Sequence, residues 1–293
     1  MFYYLSCALI FVSAYVLNMT YMSVFFHRAF AHKGLILKPW LRQFVIHTGN
    51  WVTGLDLKGW VCMHRMHHQH VDSEKDPHSP VNDGVFGVFL SQHYSFQRIL
   101  RGLIGNRRTF NSVVEDLNFP VSWLNRRRYW LLPLGLHFLI GAGISYFSGG
   151  ILIGACYWMG IASHPIQGWL VNSLGHYAGY RNFDTKDHST NNTMVGLLVL
   201  GEGYHNNHHH QPQSVKFSHR WFEFDLGYLI CRILRAIGWA EFRKDLATEN
   251  HIVLGAVDDS LGSVLSRLSP ENANLDSTLD LVLPQKRKEE EVI

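Results

Sequence analysis

Residues 64–68 read His-Arg-Met-His-His and residues 205–209 read His-Asn-Asn-His-His, so the His-x-x-His-His pattern occurs twice in this chain. On a helix, positions i, i+3 and i+4 share one face, and each set of three histidines is therefore expected to point into one pocket. Neutral imidazole is a common protein ligand for iron, zinc and copper. The two segments together predict a metal site between helices.

A third cluster has a different spacing, because His27 and His32 are five residues apart. At about 100° per residue, these two side chains lie roughly 140° apart on an ideal helix. Either the helix ends near His27 or the two residues serve different ions. The three clusters hold eight histidines, more than one metal ion needs, and so predict a site for two ions.

Two long stretches contain no Asp, Glu, Lys or Arg: Met1 to Phe26 and Tyr129 to Tyr180. About 20 apolar residues suffice to span a bilayer. We therefore expect three transmembrane helices, at about residues 3–26, 129–148 and 151–175, with Ser148-Gly149-Gly150 as the turn between the last two. The first run has no basic n-region, so we interpret it as a retained helix and not as a cleaved signal peptide.

Lysine and arginine, Arg28 among them, are concentrated between the first two predicted spans and again after Tyr180. The positive-inside rule places both regions in the cytoplasm, together with all three histidine clusters. The prediction is an all-α integral membrane protein of the bacterial inner membrane or endoplasmic reticulum, with a cytoplasmic helical cap. The stretch from Leu41 to Trp60 is expected to be an interfacial or partly re-entrant helix.

The predicted membrane domain covers residues 1–248. Residues 249–293 are polar and contain the run Lys-Arg-Lys-Glu-Glu-Glu, which favours a disordered tail. The formal net charge of +3 is too small to indicate a nucleic-acid partner.

A ninth histidine belongs to the segment Asn172-Ser-Leu-Gly-His176, at the end of the third predicted span. Asn172 and His176 share a helix face, and polar residues inside a membrane usually have a function. With the three clusters and Gly201-Glu202-Gly203-Tyr204-His205, the chain resembles the membrane fatty acid desaturases, most of all their acyl-CoA and acyl-lipid Δ9 branch. Asp76-Pro77-His78 also matches that branch, and the resemblance covers roughly residues 10–245.

The resemblance implies a centre of two iron ions (Fe2+) that inserts a cis double bond into a saturated acyl chain while O2 is reduced to water. The implied substrate is an acyl-CoA or a phospholipid. Asn172 would bind one iron through water, and Trp60 and Trp169 would flank the acyl slot; both tryptophans could equally be interface anchors. The implied histidine ligands are His27, His32, His64, His67, His68, His176, His205, His208 and His209.

The chain has no Rossmann glycine pattern, haem-attachment motif or iron–sulfur cysteines, so electrons are expected from a separate donor such as a ferredoxin or cytochrome b5. A basic face could dock that donor or bind substrate phosphates, although topology alone would also place positive charge there. This face comprises Lys58, Arg65, Arg101, Arg107 and Arg108.

Helix spacing back from His27 predicts that one face of the first span lines the acyl slot. Carboxylates commonly orient metal-bound imidazoles, and four are candidates here, each of which could equally be a surface charge or a helix cap. His164, beside Pro165, is interpreted as a polar residue at a helix kink, and His47 and His93 as surface or core residues. The predicted slot residues are Ser23, Thr20, Val16 and Val12, and the candidate carboxylates are Asp76, Asp184, Asp187 and Glu202.

Two alternative functions remain at this point. A related di-iron hydroxylase or ketolase would use the same ligands but transfer oxygen to carbon. A membrane zinc transporter or metal-binding protein would need polar residues along its spans, and the first span has few.

Overall fold

The computed structural model describes residues 2–243, and the predicted tail at 249–293 lies outside them. The described part is mainly helical. Its helices are α1 (Phe2–Met19), a π-helix π1 (Thr20–Ala31), α2 (Pro39–Thr53), α3 (Leu57–His70), α4 (Pro80–Ile104), α5 (Arg108–Asn111), a 3-10 turn (Ser112–Val114), α6 (Trp123–Arg126), α7 (Leu132–Ser148), α8 (Ile151–Ile161), α9 (His164–Trp169), a second π-helix π2 (Leu170–Leu174), α10 (Thr193–Leu198), α11 (His205–His210) and α12 (Leu226–Ala236).

The helices α1 and π1 form one continuous rod from Phe2 to Ala31. Among the helices of residues 2–243, this rod is the only one that is both long and apolar enough to cross a membrane; α7 is apolar but shorter. The turn predicted at 148–150 lies between α7 and α8, where Gly149 adopts the left-handed conformation with φ of 69°. The stretch predicted as one span at 151–175 instead breaks at Ala162 and Ser163 into α8, α9 and π2.

The stretch from Leu41 to Trp60 does not form the single helix that we expected. Gly54 ends α2 in the left-handed conformation, with φ of 75°. The Asp56 carboxylate then accepts a hydrogen bond from the Gly59 N–H at 2.9 Å and caps the start of α3. A glycine stop followed by an aspartate cap is the physical reason for two helices in place of one.

The main hydrophobic core surrounds π1. Val24 and Phe26 of π1 are fully buried, as are Val45 of α2 and Val61 of α3. Two short strands, which the sequence did not predict, add to this core: β1 (Leu35–Leu37) pairs antiparallel with β2 (Ala240–Phe242). The core fixes π1 and α3 against each other, and each of these helices carries one histidine cluster.

Candidate metal centre and acyl slot

The nine histidines that the sequence singled out converge in two groups. In each group the ligand nitrogens all lie within 4.8 Å of one another. Six of the nine histidines are buried, and His32, His68 and His209 are partly buried. Group A contains His27, His32, His64, His68 and His208, and group B contains His67, His176, His205 and His209.

Each His-x-x-His-His segment contributes to both groups. On α3, His64 and His68 belong to group A, whereas His67 belongs to group B. On α11 the division is reversed, because His205 and His209 belong to group B and His208 to group A. The prediction of one shared pocket for each segment is therefore replaced by two adjacent groups that the two helices build together.

The pair His27 and His32 follows neither of the two predicted alternatives. The helix does not end near His27, and both residues lie in group A with ring centroids 4.9 Å apart. The reason is the π-helical turn: the His32 N–H donates to the His27 carbonyl at 3.1 Å, a bond between residues five apart. This wider turn brings to one face two residues that an α-helix would separate.

Four carboxylates hold the outer ring nitrogens of four histidines. The distances between Nδ1 and carboxylate oxygen are 2.6 Å for His27–Glu202, 2.9 Å for His67–Asp76, and 3.1 Å for both His176–Asp72 and His209–Asp187. An Nδ1–H that donates to a carboxylate leaves a bare lone pair on Nε2. Three of the four predicted carboxylates thus have the expected contact.

Asp184 does not: it is exposed, and none of the described histidines is bonded to it. The fourth carboxylate is Asp72, which sequence reasoning missed. Asp72 and His176 are 104 residues apart, and only the fold brings them together.

The inner ring nitrogens point at one another. The Nε2 atoms of His32 and His64 are 2.7 Å apart, and those of His27 and His208 are 3.1 Å apart. In group B, His205 and His209 approach to 3.1 Å, and the buried Nε2 of His176 has no hydrogen-bond partner among the described residues. Imidazole nitrogens that converge in this way, several of them with the Nδ1–H held by a carboxylate, form a donor set that fits metal ions.

Burial, assisted by repulsion between neighbouring imidazoles, lowers the pKa of most of these histidines. The pKa of His68 falls to about 3, and those of His64, His67, His205 and His208 lie well below the ordinary value. These five side chains are therefore neutral near pH 7, which is the form that binds metal. Burial alone would raise the pKa of Asp72, but its contact with His176 outweighs that effect, and the pKa is about 2.

A buried ion network supports His27. Arg28, with only 1% of its surface exposed, donates to Glu202 at 2.8 Å and to Asp225 at 3.0 Å, and its guanidinium lies over the ring of Phe217. The sequence assigned Arg28 to the loop charges that indicate topology. The structure corrects this, because the residue faces the protein interior and anchors the carboxylate that holds His27.

A slot runs beside both histidine groups, with a cavity volume of about 270 Å³. His27 and His64 of group A and His205 of group B form part of its wall. Most of the remaining lining is apolar and includes Met19, Met22, Met63, Phe96 and Val171.

Of the residues predicted beside this slot, Trp60 lines it and Trp169 and Val16 do not; Asn172, predicted to act on one iron through water, also lines it. Trp60 stacks on His64 with ring centroids 5.1 Å apart, and Asn172 donates to Gln92 at 3.3 Å. Trp169 instead donates from its indole N–H to the Val85 carbonyl at 2.7 Å.

The predicted slot face of the first helix needs the same correction. Of the four predicted residues, Ser23 lines the slot and Thr20 does not, while Val16 and Val12 are exposed. Met19 and Met22 line the slot in place of the three that do not. The prediction counted back from His27 in α-helical turns, whereas residues 20–31 form wider π turns. The register of the face therefore shifts before the chain reaches α1.

Two residues of the predicted basic face have internal partners. Lys58 donates to the backbone carbonyls of Leu117 and Phe119, and Arg65 pairs with Asp116 at 2.5 Å. The other three members, Arg101, Arg107 and Arg108, are exposed.

The family model for fatty acid desaturases matches residues 4–228 of the chain. The chain belongs to the fatty acid desaturase family. It is 33% identical over 222 residues to Delta-9 acyl-lipid desaturase 1 of Arabidopsis thaliana, covering 75% of this chain and 69% of that protein. It is 31% identical to sn-1 stearoyl-lipid 9-desaturase of Anabaena variabilis, covering 73% and 75%, and 33% identical to icosanoyl-CoA 5-desaturase of Limnanthes douglasii, covering 73% and 58%.

Family membership makes the protein an oxidoreductase of lipid metabolism that desaturates fatty acyl chains. This confirms the resemblance inferred from the histidine clusters. The family and its membrane setting also agree with the one long apolar helix of the described residues.

Proposed function

We propose that groups A and B hold two Fe2+ ions and that this desaturase inserts a cis double bond at the Δ9 position of a saturated acyl chain. The observation that supports this most directly is the wall of the slot. Histidines of both groups form part of it, so a chain that fills the slot passes both candidate metal sites.

The proposed metal ligands are the nine histidines of the two groups, with Asn172 acting on one iron through a water molecule. Bound iron would supply, with O2 and two electrons from an external donor, the oxidising power to remove hydrogen from an unactivated C–H bond. The carboxylates Glu202, Asp76, Asp72 and Asp187 keep the imidazoles in one tautomer and one orientation.

The slot's own side chains position the substrate. Met19, Met22, Phe96 and Val171 offer an apolar surface that excludes water from the acyl chain. Trp60 closes one side and fixes the ring plane of His64 by stacking on it. Trp169, which holds Val85 of α4, contributes to the slot only by positioning that helix.

The names of the relatives support the bond position and the substrate class. Two of them are named as 9-desaturases that act on acyl-lipid or stearoyl-lipid, and one is named for an acyl-CoA. For this chain we propose a C9 double bond in an acyl-lipid or acyl-CoA.

For the membrane arrangement, we propose three spans with the metal centre on the cytoplasmic side. Exposed apolar side chains along α1, α7 and α8 support this arrangement, for example Leu9, Leu139 and Ile151. Electrons would come from a ferredoxin or cytochrome b5, and the exposed Arg101, Arg107 and Arg108 are the remaining candidates from the basic face for docking it.

Expression of the full chain in a host with saturated lipids tests the proposal. New monounsaturated acyl chains are expected, with the double bond located at C9 by mass spectrometry and about two irons per chain by elemental analysis. Hydroxylated chains without alkene would favour the hydroxylase alternative. Zinc without iron, and no oxygen-dependent product, would favour a metal-binding protein, a reading that the desaturase relatives do not support.

A further inference from the structure

Helix α4 is joined to α9 and π2 at the carbonyl of Val85. This carbonyl accepts a hydrogen bond from the Trp169 indole N–H at 2.7 Å and another from the Ser173 hydroxyl at 2.8 Å. Ser173 belongs to π2, so the two bonds fix α4 against the segment that carries Asn172. Gln92 follows Val85 by seven residues, close to two helical turns, and so lies on the same face of α4. This register places Gln92 beside Asn172.

The side-chain amide of Gln92 forms two hydrogen bonds. Its Nε2 donates to the Pro165 carbonyl at 3.1 Å, and its Oε1 accepts from the Nδ2 of Asn172 at 3.3 Å. Gln92 and Asn172 both line the acyl slot. A Cβ at Gly168 would lie 3.1 Å from Gln92 Oε1, so this glycine leaves room for the arrangement.

The direction of this chain of hydrogen bonds is set by its end at Pro165. A backbone carbonyl can only accept, so Gln92 must turn its NH2 group towards Pro165 and its oxygen towards Asn172. Asn172 must then turn its own NH2 group towards Gln92. The Oδ1 of Asn172 therefore faces away from Gln92, and it has no hydrogen-bond partner among the described residues.

We propose that Gln92 is a positioning residue that keeps the Oδ1 of Asn172 turned towards a metal-bound water. A metal ion makes its bound water a stronger hydrogen-bond donor, so the partner of that water must be an acceptor. The oxygen of the Asn172 amide is such an acceptor, whereas the NH2 group is not. This inference rests on the proposed function, in which Asn172 acts on one iron through water.

Group B is the site at which this water is expected. Group B has four histidines and group A has five, so group B leaves more room for a water ligand. His176 of group B follows Asn172 by four residues, a spacing that brings two side chains to one side of a helix. The Nε2 of His176 is buried without a partner among the described residues, and His205 of the same group lines the slot together with Asn172.

Gln92→Leu tests the proposal, because it removes both hydrogen bonds and frees the Asn172 amide to turn over. The full-length protein in detergent is stripped of metal and titrated with Co2+, which binds the same imidazole ligands as Fe2+, in competition with a chelator. The affinity of one Co2+ site should fall about three- to tenfold, the effect of one neutral hydrogen bond. The affinity of the other site should not change.

Gln97→Leu is the matched control, since it is the same exchange on the same helix. Both Co2+ affinities should match those of the wild type in this variant. Unchanged affinities in Gln92→Leu would overturn the proposal, and so would an equal loss in Gln97→Leu.

Asn172→Asp separates an orienting role from a merely structural one. A carboxylate has an oxygen on both sides, so its action on the water does not depend on which way the group is turned. Gln92→Leu should therefore not lower the Co2+ affinity further when it is combined with Asn172→Asp. If Gln92 only supports the packing of α4 on α9, its removal should cost the same with and without Asn172→Asp, and that result contradicts the proposal.

Activity measured beside Co2+ binding separates this inference from the proposed function. If the iron-loaded wild type forms alkene but Gln92→Leu binds Co2+ as the wild type does, only the role of Gln92 is wrong. If the affinities change as expected but the wild type forms no alkene with a reduced donor present, the role of Gln92 stands and the proposed function fails. A wild type that binds no Co2+ would overturn both.

Discussion

The two histidine groups are held in different ways. Group B has four histidines, and carboxylates hold three of them: His67, His176 and His209. Group A has five histidines, but a carboxylate holds only His27. Group A therefore has more histidines, held mainly by packing and by the one buried ion network at His27. Group B has fewer histidines, but outer carboxylates fix most of them. The two candidate iron sites are therefore expected to respond differently to the same kind of substitution.

Removal of one ligand from each group should give the largest effect. His205→Ala leaves three histidines in group B and His32→Ala leaves four in group A. Both variants should lose activity, because the proposed reaction requires both irons. Iron content, measured by elemental analysis, should fall to about one per chain in His205→Ala and less far in His32→Ala. Equal losses would show that the two groups tolerate ligand removal alike.

Glu202→Gln should mainly destabilise the fold. Glu202 accepts from His27 and Arg28, and the neutral amide leaves the buried Arg28 with Asp225 as its only carboxylate partner. Disruption of a buried ion pair costs about 3–5 kcal/mol, which thermal unfolding in detergent should detect. Asp116→Asn is the control, because its partners Lys33 and Arg65 lie nearer the surface and such pairs contribute about 0–1 kcal/mol. Comparable shifts in the two variants would mean that the buried network is not special.

Asp187→Asn should weaken iron binding in group B with a smaller effect on stability. The Asp187 carboxylate accepts from His209 Nδ1 at 3.1 Å. Loss of such an outer carboxylate typically lowers metal affinity or activity by about 10- to 100-fold. Chelator competition measures the affinity. Asp184→Asn, three residues away and exposed, is the matched control and should behave as the wild type. An equal loss in Asp184→Asn would argue against the carboxylate–histidine contact.

The smallest effect is expected for substitutions in the first helix, which also carries His27 of group A. Val16→Trp should leave the length and double-bond position of the products unchanged, because Val16 points away from the slot. Met19→Trp should shift the product profile towards shorter chains, because Met19 is buried and lines the slot. Gas chromatography of total fatty acids distinguishes the two variants, and a profile changed only by Val16→Trp would restore the original α-helical prediction.

The comparison of the groups also shows how far the sequence could predict the site. The candidate ligands and three of the carboxylates were recognisable because spacing and side-chain chemistry are local properties of the chain. The division of His64, His67 and His68 between two groups was not, since a shared helix face does not say which partner lies opposite each residue. Asp72 was missed for a related reason: nothing near it in the sequence indicates His176.

The sequence by itself determined the residue types of the candidate metal site, the apolar first helix, the turn at 148–150 and the family. Each of these depends on composition or on spacings of a few residues. Only the tertiary structure decided the π-helical register that unites His27 with His32, the burial of Arg28 and the true wall of the slot. These features depend on packing between residues far apart in the chain, which shifts a helix by part of a turn and changes which side chains face the substrate.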